Sequence, residues 1–275
     1  MSRAKICVQL YTLRREMARL GVYETLKKLH ELGFTSVEVS ALEMTEANVS
    51  QLKKASEDFG MEIAALSAGE NELKDLDKIV SDCKALGSRY VRVGMIPFRI
   101  MGYKDKAMEF IRDLEDAAER LEKEGIKLYY HNHHYEFQKY DGAYLLDIMR
   151  ERTEKLGFEL DVHWIQRGGE DPIRIIKRFV GRVDLLHLKD YRIGPVSFTD
   201  EELKEQKVWD KLANIVQYAE LGEGNLDLQG IVETGLECGA KYLIIEQDET
   251  YDKDPFQSLK ISKEALEKLG YGDLL

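Results

Sequence analysis

Phe158-Glu159-Leu160-Asp161-Val162-His163-Trp164 and, further on, Leu185-Leu186-His187-Leu188-Lys189-Asp190 follow one plan. Each is an apolar run too short for a buried helix, and each ends in a burst of acidic, basic or imidazole side chains. Between them the stretch 172–180 is amphipathic, opened by Pro172 and followed by Gly181, and reads as a helix. A strand that passes through a helix into a parallel neighbour makes a right-handed crossover.

The same unit recurs in both directions. Apolar runs at 6–10, 36–40, 63–67, 90–94, 127–131, 158–162, 183–188 and 242–246 supply eight strands. Segments 24–32, 73–86 and 107–124 carry apolar residues at three- and four-residue spacing, the mark of a helix with one buried face. Gly33, Gly60, Gly87, Gly125, Gly157, Gly181 and Gly239 stand where these helices should stop. Eight strand–helix units fit an α/β fold, the (β/α)8 TIM barrel of about 250 residues, as one domain spanning 1–275. The rival is an open, doubly wound sheet, but the first strand-to-helix turn, 10–21, has no Gly-x-Gly-x-x-Gly or P-loop. The longest irregular stretch, 191–224, contains Pro195 and the charged run 200–207. A loop of that length is either functional, with a small helix of its own, or a solvated excursion.

Composition narrows the class. Hydrophobic residues at 44 % suffice for a sizeable core, and 4 Pro with 21 Gly fall far short of a disordered or collagen-like chain. Three cysteines, Cys7, Cys83 and Cys238, without C-x-x-C spacing, argue against a disulfide framework or a cysteine-rich zinc site. A net charge of −11 argues against holding a nucleic-acid backbone by counterion release. No apolar run approaches the ~18 residues of a membrane span, and residues 1–5 lack a signal-peptide profile. The expectation is a cytoplasmic protein whose partner is a small molecule, with no nucleic acid or membrane partner; homo-oligomerisation is left open.

The chain has six histidines, and all but His30 fall between positions 131 and 187. The fifth strand ends in His131-Asn132-His133-His134-Tyr135-Glu136-Phe137, and the eighth in Ile244-Ile245-Glu246-Gln247-Asp248-Glu249. All four polar clusters lie at carboxyl ends of strands, which in a barrel form the active-site face. Side chains alternate across a strand, so Asp161 and His163 share a face, as do His187 and Lys189, and Glu246 and Asp248. Carboxylates converging on the barrel axis would repel one another, and a divalent cation relieves that repulsion. An imidazole with two or three carboxylates suits Mn2+, Mg2+ or Co2+, with Zn2+ also open. Gln9, Tyr11 and Glu38, at the first two strand ends, are expected either to touch a polyhydroxylated ligand or to bond neighbouring loops. Arg92 reads as the structural partner of a carboxylate.

At these residues the sequence resembles, from end to end, the sugar phosphate isomerase/epimerase group of the xylose isomerase-like TIM barrel superfamily. The likeness is densest in His131-Asn132-His133 with Glu136-Phe137, in Asp161-Val162-His163-Trp164 with 168–172, and in His187-Leu188-Lys189-Asp190. Gly222-Glu223-Gly224-Asn225-Leu226-Asp227 and Glu246-Gln247-Asp248-Glu249 complete it, and the His-Asn-His signature marks a subgroup. The resemblance implies one divalent metal, most often Mn2+, held by residues of the fifth to eighth strands. Carried over, these are Asp161, His187 and Glu246, with Glu136 preferred as the fifth-strand ligand and His131 as the alternative that tilts the site to zinc or cobalt.

The activity so implied is that of a metal-dependent isomerase or epimerase. The metal would chelate the carbonyl and neighbouring hydroxyl of a keto sugar or related polyol and stabilise an enediolate, while Glu136 and Glu246 act as the acid/base pair. His131, His133, His163, Lys189, Trp164 and Gln9 are the expected substrate contacts. A lyase acting on a keto-inositol or 3-keto-glycoside shares the same proton abstraction. A non-catalytic sugar-binding barrel and an abasic-site endonuclease rank below both.

Overall fold

A computed structural model describes residues 4–204, 208–213 and 215–275 of the chain. Eight parallel strands close into a barrel: β1 (Lys5–Gln9), β2 (Ser36–Val39), β3 (Glu62–Ala68), β4 (Tyr90–Val93), β5 (Lys127–His131), β6 (Gly157–Asp161), β7 (Leu185–Leu188) and β8 (Tyr242–Ile245). Each pairs with its neighbours in sequence, and β8 closes on β1. The eight strands expected from the apolar runs are all present, and the open-sheet alternative is excluded.

The alternation of side chains sorts the barrel into two regions. Outward positions such as Val8, Val37, Val91, Leu128, Phe158, Leu186 and Leu243 belong to the large core between strands and helices. The longest helix, Lys104–Glu122, buries Ala107, Ile111, Leu114, Ala118 and Leu121 against that layer at helical spacing. Inward positions near the strand starts hold a separate apolar group of Cys7, Ala65, Tyr129, Leu185, Tyr242 and Ile244. The rings of Tyr90, Tyr129 and Tyr242 meet there, with centroids 5.6 and 5.8 Å apart, and floor the barrel.

Six of the seven expected helix-stop glycines adopt positive φ, but Gly157 does not. It is the first residue of β6, and the preceding helix ends at Arg152, with Thr153 after it. A Cβ on Gly157 would lie 2.3 Å from the Tyr129 ring, so the glycine is needed for close packing of β6 on β5.

The stretch expected to be irregular is organised. Asp190–Ile193 pairs antiparallel with Val216–Ala219, and the short helices Asp200–Lys204 and Val208–Ala213 lie between. Residues 205–207, the end of the charged run, lie outside the described residues, as do residues 1–3 at the start of the chain. All three cysteines are free. Among the described residues, no helix is long and apolar enough to cross a membrane.

Candidate metal centre and active site

Above the tyrosine floor the barrel interior turns polar. Gln9 Nε2 donates to Glu38 Oε1 at 2.7 Å, and Arg92 Nε lies 3.0 Å from the same oxygen and 3.5 Å from Glu159 Oε2. His187 Nε2 reaches both carboxylates, at 3.3 Å to Glu38 and 3.2 Å to Glu159. All these side chains are buried. Burial opposes the charge on Glu38, but His187 and Arg92 outweigh it and hold the carboxyl down to about 2. Burial, reinforced by the charge of Glu38, pushes Glu159 up to about 8. One carboxyl of the pair thus keeps its proton at neutral pH.

One layer higher, His131, Asp161, His187 and Glu246 bring four buried donor atoms within 4.8 Å of one another. They come from the carboxyl ends of β5, β6, β7 and β8, and His131, Asp161 and His187 are each oriented by a bond that leaves one atom for the centre. His131 Nδ1 donates to the Gly94 carbonyl at 3.2 Å, which leaves Nε2 3.4 Å from Asp161 Oδ2. Asp161 Oδ1 caps the helix Val162–Arg167 by accepting the Trp164 N–H at 3.0 Å, which leaves Oδ2 inward. The Asp161 N–H is itself held by Asn132 Oδ1 at 3.0 Å. His187 Nδ1 lies 2.9 Å from Glu246 Oε2 and 3.8 Å from Asp161 Oδ2, while its Nε2 is anchored on the layer below. That is the carboxylate–histidine arrangement that orients metal-binding imidazoles.

These donors fit a divalent cation. A tetrahedral ion with bonds of about 2.0–2.2 Å has donor–donor edges of about 3.3–3.6 Å. Three of the donor pairs here lie at 2.9, 3.4 and 3.8 Å, and all lie within 4.8 Å. Burial pushes His131 down to about 4, so its ring is neutral and its lone pair available at neutral pH. The interior carries five buried or half-buried carboxyl groups, Glu38, Glu159, Asp161, Glu246 and Asp248, beside Arg92, Lys189 and His187. Burial opposes the charge on His187, but the carboxylates around it outweigh that and favour its protonated form, so a cation at this centre would take the place of the proton on Nδ1. Two imidazoles and two carboxylates make up the donor set.

The cluster opens into a mouth of about 780 Å3 lined by His131, His133, Trp164, Lys189, Glu246 and Asp248, with Tyr218 reaching in from the antiparallel arm. Glu246 and His131 are the two donors that border it. One wall is aromatic: His133 stacks on Tyr135 with centroids 4.9 Å apart and meets Trp164 at 5.2 Å. Burial pushes His133 down to about 2, so it is a neutral partner.

Three expected site residues stand elsewhere. Glu136 is not in the cluster: it lies in a 3-10 turn, Tyr135–Phe137, accepting from the Tyr130 hydroxyl at 2.5 Å and the His133 N–H at 2.8 Å. Tyr130 points outward into the helical layer, so Glu136 is behind the barrel wall. The position nearest the centre on β5 belongs to His131. Gln9 is fully buried, bonding Glu38 and the Tyr11 N–H, and does not line the mouth, whereas Tyr11 does. His163 falls on the helix that begins at Val162 rather than on β6, so strand parity with Asp161 does not apply; it is buried against Tyr218, rings 4.9 Å apart. The sequence assigns no role in the site to Glu159 or to Asn132. Counting back two residues from Asp161 on the same strand face finds Glu159; the bridge made by Asn132 has no sequence signal.

The sequence model of the xylose isomerase-like TIM barrel family matches residues 26–269. No curated protein matches the sequence. Among solved structures, the chain is similar to a sugar phosphate isomerase/epimerase of Parabacteroides distasonis, at 22 % identity and TM-score 0.77, covering 96 % of this chain and 98 % of that one. It is also similar to the IolI protein with a zinc atom, at 15 % identity and TM-score 0.70, covering 98 % and 99 %. A third is the probable 3-DHS dehydratase AsbF of Bacillus anthracis, at 14 % identity and TM-score 0.69, covering 96 % and 98 %.

Proposed function

We propose, for a chain that belongs to the xylose isomerase-like TIM barrel family, that it is a divalent-metal-dependent isomerase or epimerase of a keto sugar or related polyol. The observation that carries this reading is the convergence of His131, Asp161, His187 and Glu246 on one point beneath an open mouth. A bound cation would supply Lewis acidity to a carbonyl and its neighbouring hydroxyl, which acidifies the adjacent C–H.

The chain's own residues do the rest. Glu246 is the donor carboxylate that borders the mouth, and it is the base we assign to the carbon-bound proton. His187, held below by Glu38 and Glu159, keeps Nδ1 turned toward Glu246. Trp164 and His133 form a wall against which a polyol ring can lie, with neutral imidazole rather than charge facing its hydroxyls. Glu136, behind the wall, has no part in proton transfer on this reading.

Proton abstraction beside a carbonyl also begins an elimination, and the likeness to a probable dehydratase keeps a lyase as the second reading. One experiment tests both. Ketohexoses, their phosphates, keto-inositols and 3-keto-glycosides are incubated with metal-loaded protein in D2O and followed by NMR. The expected result is exchange of one carbon-bound hydrogen in one substrate, abolished by Glu246→Gln. An epimerised or isomerised product supports the first reading and a dehydrated product the second. Tight, metal-independent sugar binding without exchange would overturn both.

A further inference from the structure

Lys189 is buried just past the end of β7, with its ammonium among three carboxylates. Nζ lies 3.1 Å from Asp161 Oδ2, 2.7 Å from Glu246 Oε2 and 3.1 Å from Asp248 Oδ2. The first two are the same oxygens that face His187 Nδ1 and, for Asp161, His131 Nε2. An ammonium and a cation bound by the four donors therefore contend for the same two atoms. Asp248 is different: it stands outside the donor group, yet both its oxygens are within 3.2 Å of Nζ. The Trp164 ring, 5.3 Å from Nζ, gives the ammonium a second favourable neighbour.

We propose that Lys189 is an internal counter-ion that neutralises the donor cluster when no metal is bound, and that its ammonium withdraws to Asp248 when a metal enters. This rests on the metal-centre reading above. Buried carboxylates left without a cation are strongly destabilising, so Lys189 lets the metal-free barrel keep Asp161, Glu246 and Asp248 together. A compact ammonium on a flexible four-carbon stem suits such a shift; a planar guanidinium held in a fixed fork does not. The side chain stays charged throughout, and only its partners change.

Two substitutions pull in opposite directions. Lys189→Met removes the competitor but keeps the stem, so affinity for Mn2+ and Zn2+ should tighten about tenfold, the scale of one coupled site. The same variant should melt lower than wild type in chelator, and its rise in Tm on metal loading should exceed the wild-type rise. Asp248→Asn removes the berth while keeping the shape, so the ammonium stays on the donor oxygens and metal affinity should weaken by about tenfold. The experiment measures Mn2+ and Zn2+ affinity of wild type and both variants by competition with a chromophoric chelator, with melting curves in chelator and with each metal.

Shifts of the two variants in the same direction, or an unchanged metal-induced rise in Tm for Lys189→Met, overturn the proposal. Lys189→Met that folds only with metal present is the expected result in its extreme form. If that variant folds under neither condition, Asp248→Asn decides, and unchanged or tighter metal binding there overturns the proposal. Wild type that binds metal, with both variants binding equally well, removes the role of Lys189 and leaves the metal centre standing. Failure of wild type and both variants to bind either ion removes the metal centre and this proposal with it.

Discussion

Glu136 and His131 leave opposite sides of the same strand-end wall, and that separates their consequences. His131 shares the inward face of β5 with Tyr129, whereas Glu136 is tied to the outward Tyr130. Replacing His131 with Asn should therefore lower metal content, read by elemental analysis, while Glu136→Gln should leave it near the wild-type value. The effect of Glu136→Gln appears instead in stability against pH. Burial pushes this carboxyl up to about 7 from an ordinary 4.5, so between those values the folded chain holds a proton that the unfolded chain has lost. Wild-type stability falls over that window by about 3 kcal/mol on this account, and the fall is complete above pH 7. Glu136→Gln, which cannot ionise, should escape it, so its stability relative to wild type rises from pH 4.5 to 7.5 in urea titrations. A flat difference across that range would refute the assignment. The polar strand ends made Asp161, His187 and Glu246 candidates and the family resemblance singled them out as donors; each lies on, or one residue past, a regular strand. That regularity does not reach beyond His131, where the chain leaves β5 and enters the 3-10 turn that carries Glu136 away.

The run of eight short apolar segments was enough to read every barrel strand, since each is buried on its outer face by helices whose own periodicity is visible. The antiparallel arm was not legible, because its two strands are separated by more than twenty intervening residues and pair through backbone groups with no periodic pattern. What ties the arm's base is Asp190, which accepts from the N–H groups of Tyr191, Gly222 and Leu226 at 2.8, 3.2 and 3.1 Å. The 222–226 loop comes so close that a Cβ at Gly224 would stand 2.1 Å from Asp190 Oδ1 and 2.5 Å from the Tyr191 carbonyl oxygen. Asp190 is thus the structural member of the His-Leu-Lys-Asp run, and Gly224 is required by close approach. Gly224→Ala should cost about 1–3 kcal/mol, the scale of overpacking in a tight site, measured by chemical denaturation. It should also expose the arm to limited proteolysis before the barrel is cut. Stability equal to wild type would show that the loop can shift without loss.

On the scale of the whole molecule, the barrel interior runs from apolar to ionic along its axis. Cys7, Leu185 and the tyrosine rings lie at one end, the Glu38–Arg92–Glu159 layer in the middle, and the donor cluster and mouth at the other. The tyrosine floor has a kinetic corollary. Among the described residues, the donor cluster opens to solvent through the 780 Å3 mouth, while Tyr90, Tyr129 and Tyr242 pack across the other end. A vessel with one opening cannot be loaded from one side and emptied from the other. Reactant and product would then occupy the same chamber above the donor cluster, and added product should inhibit competitively, raising KM and leaving kcat unchanged in initial-rate measurements. A lowered kcat at saturating reactant would mean that product also binds where reactant cannot displace it, and would overturn a single shared chamber.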